Sequence, residues 1–467
     1  MDTIRARAQH NSNHARQRSN LLCWSSLVVL LAVLLAPVEA TENRVVMSIL
    51  TNDGFLLPAK VLAYRLKTLA MPVPYVLLVT ENVSNSSIEE LKSHNIEVRR
   101  TSLFTVPHAK KAAKYHYTKL RLWSLIEYDV VLYIDLDALP MRDLLPFFSC
   151  GSFCATFRHS DKFNAGMLVL KPNLTVYEDL ISQAPLLPTY DGGDQGFLNS
   201  YFHELKFTPT FDHNRPDQQL YNSAQRRLSS EFNYDIGVYY LNGGRLLVEP
   251  AIIHYTMGPT KPWLWWTYPL FDLNEHWSKT RAEMEQLYPE PNPDYKLIAF
   301  TVLVAAIALI FRQIIFLIIK DRFRTDALNT FEDHFVHYLI SWISFCFTWH
   351  LTPTSAHPFA SWLYFIVNMN IFIICLSDVF MRIRCGSVST AFLYPRTLVF
   401  SLNTSAILLF LLILALTPTF GTRALFAIVF IATSFYLIPL ICKRILIGTD
   451  GSHSKYQLLP VRKEYCH

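Results

Sequence analysis

Charge is scarce in this chain. Asp, Glu, Lys and Arg make up 17% of its 467 residues and apolar residues 51%, where a soluble domain carries about 25% charged residues. The net charge is only +5, and no basic stripe runs along a globular segment. The basic excess sits in the N-terminal leader and beside apolar segments, as Lys320, Arg322, Arg324, Arg382, Arg384, Lys443 and Arg444. That distribution excludes nucleic acid as a partner, which demands a basic face, and marks membrane orientation instead. Cysteine is scarce where a metal site would need it. Of eight cysteines only Cys150 and Cys154 fall in the globular segment, and no zinc spacing occurs. Those two are either a short disulfide of an oxidising compartment or a pair of small buried residues. No internal repeat stands out.

What is present is unevenly spread. Residues 1–40 carry Arg5, Arg7, Arg16 and Arg18, then the apolar run Leu21–Ala36, then Val38-Glu39-Ala40. This is the pattern of a secretory signal peptide, with an uncleaved signal anchor as its rival. Residues 41–287 read as a globular domain large enough for a full core, delivered to the secretory lumen. Sequons at Asn82, Asn85 and Asn173 agree with that compartment and are expected in surface loops. Alternating prolines then predict an extended linker over residues 288–296. Residues 297–442 predict an all-α membrane domain of five spans: Leu297–Ile319, Phe335–Leu351, Pro358–Phe380, Thr397–Leu416 and Ala424–Cys442. Basic residues follow the first, third and fifth spans, while the alternate loops Thr352–His357 and Thr417–Thr422 lack Lys and Arg. The positive-inside rule then leaves residues 443–467 as a cytosolic tail.

Within the globular part, apolar strand candidates at Val45–Leu50, Tyr75–Thr80 and Val130–Ile134 alternate with helical patterns at Pro58–Ala70, Ile88–His94 and Thr118–Ile126. Alternation of this kind predicts a parallel sheet with helices on both faces. Ligands of such sheets gather at the carboxyl ends of the strands. Two carboxylates stand at one such end, Asp135 and Asp137 in Val130-Val-Leu-Tyr-Ile-Asp-Leu-Asp-Ala-Leu-Pro140. Their like charges repel unless a cation accompanies them. A pair with open positions suits magnesium or manganese, which also take phosphate oxygens. Aspartates also end strands simply by making turns. A phosphatase of the haloacid dehalogenase type begins the same way, with the first Asp as nucleophile. Gly-Thr usually follows there, and here Ala138-Leu139-Pro140 does.

Three further clusters follow in order. Phe163-Asn164-Ala165-Gly166-Met167 precedes an apolar run to Leu170, and Asp191-Gly-Gly-Asp194-Gln195-Gly196 opens a helical stretch. Ile252-Ile253-His254 ends a strand and leads to Gly258-Pro-Thr-Lys261-Pro-Trp263. Together with Asp-x-Asp, over about Val45–Trp277, they resemble family 8 glycosyltransferases, the retaining enzymes that include glycogenin. That resemblance implies an α/β GT-A nucleotide-diphospho-sugar transferase fold with a Rossmann-like mixed sheet. It implies Mn²⁺ (or Mg²⁺) held by Asp135, Asp137 and His254, with Leu136 between the carboxylates at the donor site. It also implies a UDP-sugar whose uracil meets Thr51, Asn52 and Phe55 and whose diphosphate meets Lys261, with Gly258 also at the donor site. Phe55 stands where glycogenin has tyrosine, so stacking remains and a hydroxyl contact goes. Lys119 matches a nucleotide-site lysine, and Asn164, Ala165, Asp191, Asp194 and Gln195 match residues lining the donor sugar. Asp194 and Gln195 are the candidates for catalysis, as stabilisers of a cationic sugar or as nucleophile.

One departure refines this. Three residues separate His254 from Gly258 where glycogenin has two, and the stretch His254–Thr267 looks like the plant branch of inositol phosphorylceramide glucuronosyltransferases. Those also carry membrane spans after the catalytic domain. The branch implies glucuronate transfer to inositol phosphorylceramide in a Golgi or other secretory-pathway membrane. The alternative is a glycogenin-like hexosyltransferase acting on glycan or protein. A transporter would place paired ionisable groups deep in the spans, and an inactive binding module would lack the metal ligands. The tryptophans Trp263, Trp265 and Trp266 read equally as domain core or as a belt at a bilayer surface.

Overall fold

The computed structural model describes residues 42–157, 160–212, 225–267, 271–289, 330–353 and 358–385, with isolated positions between 299 and 314 and between 422 and 429. The chain divides into two compact units, Met1–Asn43 and Arg44–His467. Of the first, only residues 42 and 43 are described, so the expected signal segment lies outside the described residues.

The second unit opens with β1 (Arg44–Leu50), α1 (Leu56–Thr68), β2 (Tyr75–Val79), α2 (Asn85–Ser93), β3 (Glu97–Arg100) and β4 (Val130–Ile134). α2 starts earlier than its apolar periodicity suggests because Ser84 caps it, accepting from the Ser87 amide. β5 (Ala138–Pro140), β6 (Phe153–Phe157), β7 (Phe163–Leu170), α3 (Leu174–Gln183), α4 (Asp194–Tyr201) and β8 (Gln225–Leu228) follow. The seven strands of the main sheet run in the order β3-β2-β1-β4-β7-β6-β8. The first four are parallel, β7 is antiparallel to both β4 and β6, and β8 is parallel to β6. The parallel sheet read from strand–helix alternation is therefore half of a mixed one. Alternate strand residues enter two separate cores. Val46, Leu77, Leu132 and Val169 face one side, and Val45, Val76, Val131 and Leu168 the other. Burial on both faces is what makes these strands continuous apolar runs.

A smaller sheet, β5-β10-β9, is built from β9 (Tyr234–Asp235) and β10 (Ile252–His254) against β5. Helices α5 (Ile236–Leu241) and α6 (Asn274–Leu287) flank it. Its core holds Leu139, Ile253, Tyr255, Trp263 and Trp277. Cys150 and Cys154 form a disulfide just before and within β6. All three sequon asparagines are exposed, but Asn85 starts α2 and Asn173 caps α3, so neither belongs to an open loop.

One expectation needs correction. The helix predicted over Thr118–Ile126 is a run of 3₁₀ turns over His116–Ser124. Tertiary bonds pull it tight: Thr118 Oγ1 accepts from the Phe104 amide, and the Trp123 carbonyl accepts from Asn173. The expected membrane domain falls only partly among the described residues. Among the described residues no helix is long and apolar enough to cross a membrane. The spans expected at Phe335–Leu351 and Pro358–Phe380 fall within α7 (Thr330–Leu351) and α8 (Pro358–Cys385). α8 carries Asn368 and Asn370 at mid-length, each bonded back to its own helix backbone. The other three expected spans, the tail and most of the linker lie outside the described residues, isolated positions apart.

Candidate metal and nucleotide site

The carboxyl ends of β1 and β4, the start of β7, the N-terminus of α4 and the end of β10 meet around one cavity of about 980 Å³. Antiparallel pairing of β4 with β7 explains part of this meeting. It sets the first residues of β7 beside the last of β4, so that the Asp135 amide donates to the Gly166 carbonyl at 2.7 Å. Asp135, Leu136 and Asp137 form the turn into β5, with the Ala138 amide closing on the Asp135 carbonyl.

Asp135, Asp137 and His254 each present a ligand atom, and these atoms lie within 4.8 Å of one another. His254 Nε2 is 3.1 Å from Asp137 Oδ1 and 4.0 Å from Asp135 Oδ2. Its Nδ1 is 2.7 Å from Asn233 Oδ1, an outer partner that fixes the ring and turns Nε2 to the carboxylates. Gly166 makes the close approach of that ring feasible. A Cβ built there would stand 2.1 Å from His254 Cε1 and 2.8 Å from Asp135 Oδ2. The imidazole-plus-carboxylate set and this cradle fit a divalent metal.

Each carboxylate has its own lysine. Lys261 Nζ donates to Asp137 Oδ2 and to the Tyr255 carbonyl. Lys119 is 6% exposed, donates to the Ala165 carbonyl at 2.8 Å, and lies 2.9 Å from Asp194 and 3.4 Å from Asp135. Burial opposes ionisation of Asp137, but His254 and Lys261 overcome it and hold its carboxyl well below the usual range. Burial likewise opposes the charge on Asp194, and Lys119 above all keeps that carboxyl low. Lys119 itself is disfavoured by burial and raised on balance by Asp135 and Asp194.

Amides link the metal side to the α4 side. Asn233 donates to Asn164 Oδ1 at 2.7 Å, and Asn164 donates to Gln195 Oε1 at 2.9 Å. Gln195 Oε1 also accepts from the Ala165 amide, and its Nε2 donates to the Tyr190 hydroxyl. Asp191 Oδ1 accepts from Thr189, Gly193 and Gly196, which shapes the entry to α4.

Thirteen of the fifteen residues expected at the site line the cavity. Those are Thr51, Phe55, Lys119, Asp135, Leu136, Asp137, Asn164, Ala165, Asp191, Asp194, Gln195, His254 and Lys261. Asn52 and Gly258 do not; both are exposed, and the Asn52 side chain accepts from the Gly54 amide. The sequence reading missed Tyr133, whose hydroxyl donates to Asp135, and Asn233, the partner of His254. It also missed the cavity residues Tyr115, His116, Asp235, Tyr240 and Thr256. Tyr133 was within reach of the i, i+2 rule that paired the aspartates; Asn233 carries no signal in its own neighbourhood.

No family model matches the chain. The chain is similar to inositol phosphorylceramide glucuronosyltransferase 1 of Arabidopsis thaliana, at 32% identity over 276 residues, 57% of this chain and 51% of that protein. It is also similar to the putative glucuronosyltransferase PGSIP7 of Arabidopsis thaliana, at 29% identity over 242 residues (49% and 48%). Glycogenin-1 of Caenorhabditis elegans is 27% identical over 225 residues (46% and 49%). The chain thus spans about half the length of these curated relatives. Among solved structures, the galactosyltransferase LgtC in complex with donor and acceptor sugar analogues aligns with a TM-score of 0.36 at 15% identity, over 51% of this chain and 95% of that one. The glycosyltransferase GlyE of Streptococcus pneumoniae aligns at 0.38 and 19%, over 51% and 60%. The resemblance read from the motifs is borne out by the sequence relatives, which are named as glucuronosyltransferases and a glycogenin.

Proposed function

We propose that this chain is a family 8 glycosyltransferase of GT-A fold, which transfers a sugar from a UDP donor to a membrane acceptor with retention of configuration. Glucuronate onto inositol phosphorylceramide is the favoured pair, in keeping with the name of the relative at 32% identity. The observation that carries the reading is the Asp135–Asp137–His254 triad at one wall of the 980 Å³ cavity, with Lys261 beside it. Those three residues would hold Mn²⁺ (or Mg²⁺), which supplies Lewis-acid neutralisation of the leaving diphosphate.

The chain's own groups do the rest. Lys261 is a point charge at the cavity wall that can exchange Asp137 for a phosphate oxygen. Phe55 offers an aromatic face where the resemblance puts the base, braced edge-on by Trp263 at 5.5 Å. Asp194, kept ionised by Lys119, places negative charge beside the sugar subsite, where an oxocarbenium-like carbon would form. Gln195 Oε1 already accepts two hydrogen bonds. That supports orientation or stabilisation rather than attack, because both bonds draw on the lone pairs a nucleophile needs.

The test is incubation of purified membranes with several UDP-sugars, following UDP release with and without inositol phosphorylceramide. The reading expects stimulation by the lipid with UDP-glucuronate. Release stimulated only by a glycan or protein acceptor would select the glycogenin-like alternative, and no release with any UDP-sugar would refute the assignment. We place the catalytic unit on the lumenal side of a Golgi or other secretory-pathway membrane. A tag after Ala40 should resist protease in sealed microsomes, and its digestion there would refute that placement.

A further inference from the structure

The segment that follows β10 has three anchors. Lys261 reaches Asp137 in the cavity. Trp263 packs on Phe55 at 5.5 Å and on Trp277 at 5.8 Å. Trp265 leaves the catalytic unit altogether. It is 1% exposed, and its covering comes from α7 and α8: Trp349 at 5.0 Å, Trp362 at 5.1 Å and Phe365 at 5.0 Å between ring centres. Trp266 stacks obliquely on Trp349 at 4.7 Å. These aromatics form a core distinct from that of the sheets, continued along α8 by Ile366, Met369 and Ile373.

The stretch Lys261–Thr267 is also closed on itself. The Leu264 amide donates to the Lys261 carbonyl at 3.0 Å, and the Thr267 hydroxyl donates to the same carbonyl at 3.0 Å. Thr267 is fully buried and receives the Asn274 side-chain amide at 3.1 Å. A turn tied at both ends moves as one body, so a shift of Trp265 is carried to the backbone of Lys261.

We propose that α7 and α8 belong functionally to the donor site: by gripping Trp265 and Trp266 they hold the Lys261 turn, and with it the cation that meets the donor's diphosphate. Trp362 and Trp349 are positioning residues, since neither lines the cavity. The proposal rests on the UDP-donor reading above and deepens it. It predicts that loosening the helical pair weakens donor binding chiefly through Lys261.

The experiment measures UDP binding to the purified full chain in the presence of Mn²⁺, together with donor KM and kcat. Trp362→Ala should weaken UDP about fivefold to tenfold, a coupling of ordinary size for linked sites. It should raise donor KM with little change in kcat, the mark of lost ground-state binding. Trp362→Phe should restore most of the affinity, and Val367→Ala, at an exposed position of α8, should bind as wild type. Lys261→Ala should weaken UDP at least as much, and the double variant should be no weaker than Lys261→Ala alone. Trp349→Ala tests the same grip from the other helix if Trp362→Ala fails to fold. Wild-type affinity in Trp362→Ala or Trp349→Ala overturns the proposal, and so does a double variant whose losses add. Failure of the wild type itself to bind UDP overturns the donor reading and this proposal together, whereas unaffected variants overturn this proposal alone.

Discussion

Replacing Gly166 with alanine should weaken divalent-metal binding at the site while leaving the sheets standing. The added Cβ would lie 2.1 Å from His254 Cε1, where carbon atoms rest about 3.5 Å apart. The ring must therefore retreat by about 1.4 Å, or the β7 backbone must shift by as much. Retreat breaks one of two short contacts, Nε2 to Asp137 at 3.1 Å or Nδ1 to Asn233 at 2.7 Å. A displacement of this size near reacting groups costs on the order of 10²-fold in rate. Overpacking costs about 1–3 kcal/mol in stability, which a domain of this size survives. The assay is Mn²⁺ binding to the purified full chain, read from the free-ion EPR signal, with thermal unfolding in parallel. The expected outcome is Mn²⁺ affinity reduced at least tenfold, in the range of lost outer-shell support, with a transition that remains cooperative. Wild-type Mn²⁺ affinity in Gly166→Ala would refute the placement of His254 among the ligands.

Asp137→Asn should lower sugar transfer on the order of 10³-fold or more, because it keeps the shape and removes the charge that holds the ion; near-normal turnover at saturating Mn²⁺ would refute the ligand set. EDTA should abolish turnover and Mn²⁺ should restore it, with undiminished transfer in metal-free buffer as the contrary result. Lys119→Met should destabilise the fold by about 3–5 kcal/mol, since it leaves the buried Asp194 unpaired; a midpoint within 1 °C of wild type, far below the shift about 1 kcal/mol gives, would show that Lys119 is not needed there. Asp194 is held below its unfolded value of about 3.9, so its contribution is complete above that value and is lost as pH falls through the lower folded one. Asp194→Asn should therefore flatten the acid limb of stability below about pH 4, and an unchanged acid limb would count against the ion pair with Lys119.

The site residues that could be read from sequence share one property: a charged or ligating group placed where an apolar run stops. Asp135 and Asp137 satisfy that rule by themselves, and strand ends in an α/β sheet do converge; His254 also ends an apolar run, but its place beside them was implied only by the motif resemblance. Lys261, Asp194 and Gln195 entered through motif resemblance, and the fold brings them to the same cavity. The direction of β7 was not legible, because an apolar run has the same pattern in a parallel and an antiparallel pairing. Neutral amides escaped for a different reason. Asn233 lies 21 residues from His254 and 69 from Asn164, and its role exists only once the fold has closed that distance. The 3₁₀ run at His116–Ser124 shows tertiary hydrogen bonds overriding a periodicity that would suit an α-helix. The tryptophans were split in a way composition could not show: Trp263 belongs to the core of the small sheet, while Trp265 belongs to that of the helical pair.

The two carboxylates at the end of β4 are not left to repel each other. Asp135 sits against Lys119 and Asp137 against Lys261, so each half of the pair is neutralised from a different direction. The lysines differ in how firmly they are held. Lys119 is buried, donates to the Ala165 carbonyl, pairs with Asp194 at 2.9 Å, and lies 4.7 Å over the Tyr133 ring. Withdrawing it would strand Asp194 in a buried setting, so its charge is fixed in place. Lys261 is more exposed, at 13%, and is carried on a turn outside the main sheet. On the proposed reading, a metal ion at Asp137 would compete with Lys261 for that carboxylate, and a donor diphosphate would offer the lysine another partner. The division of labour would follow from attachment: the lysine built into the core sets the field, and the lysine on the tethered turn is the one able to change partners.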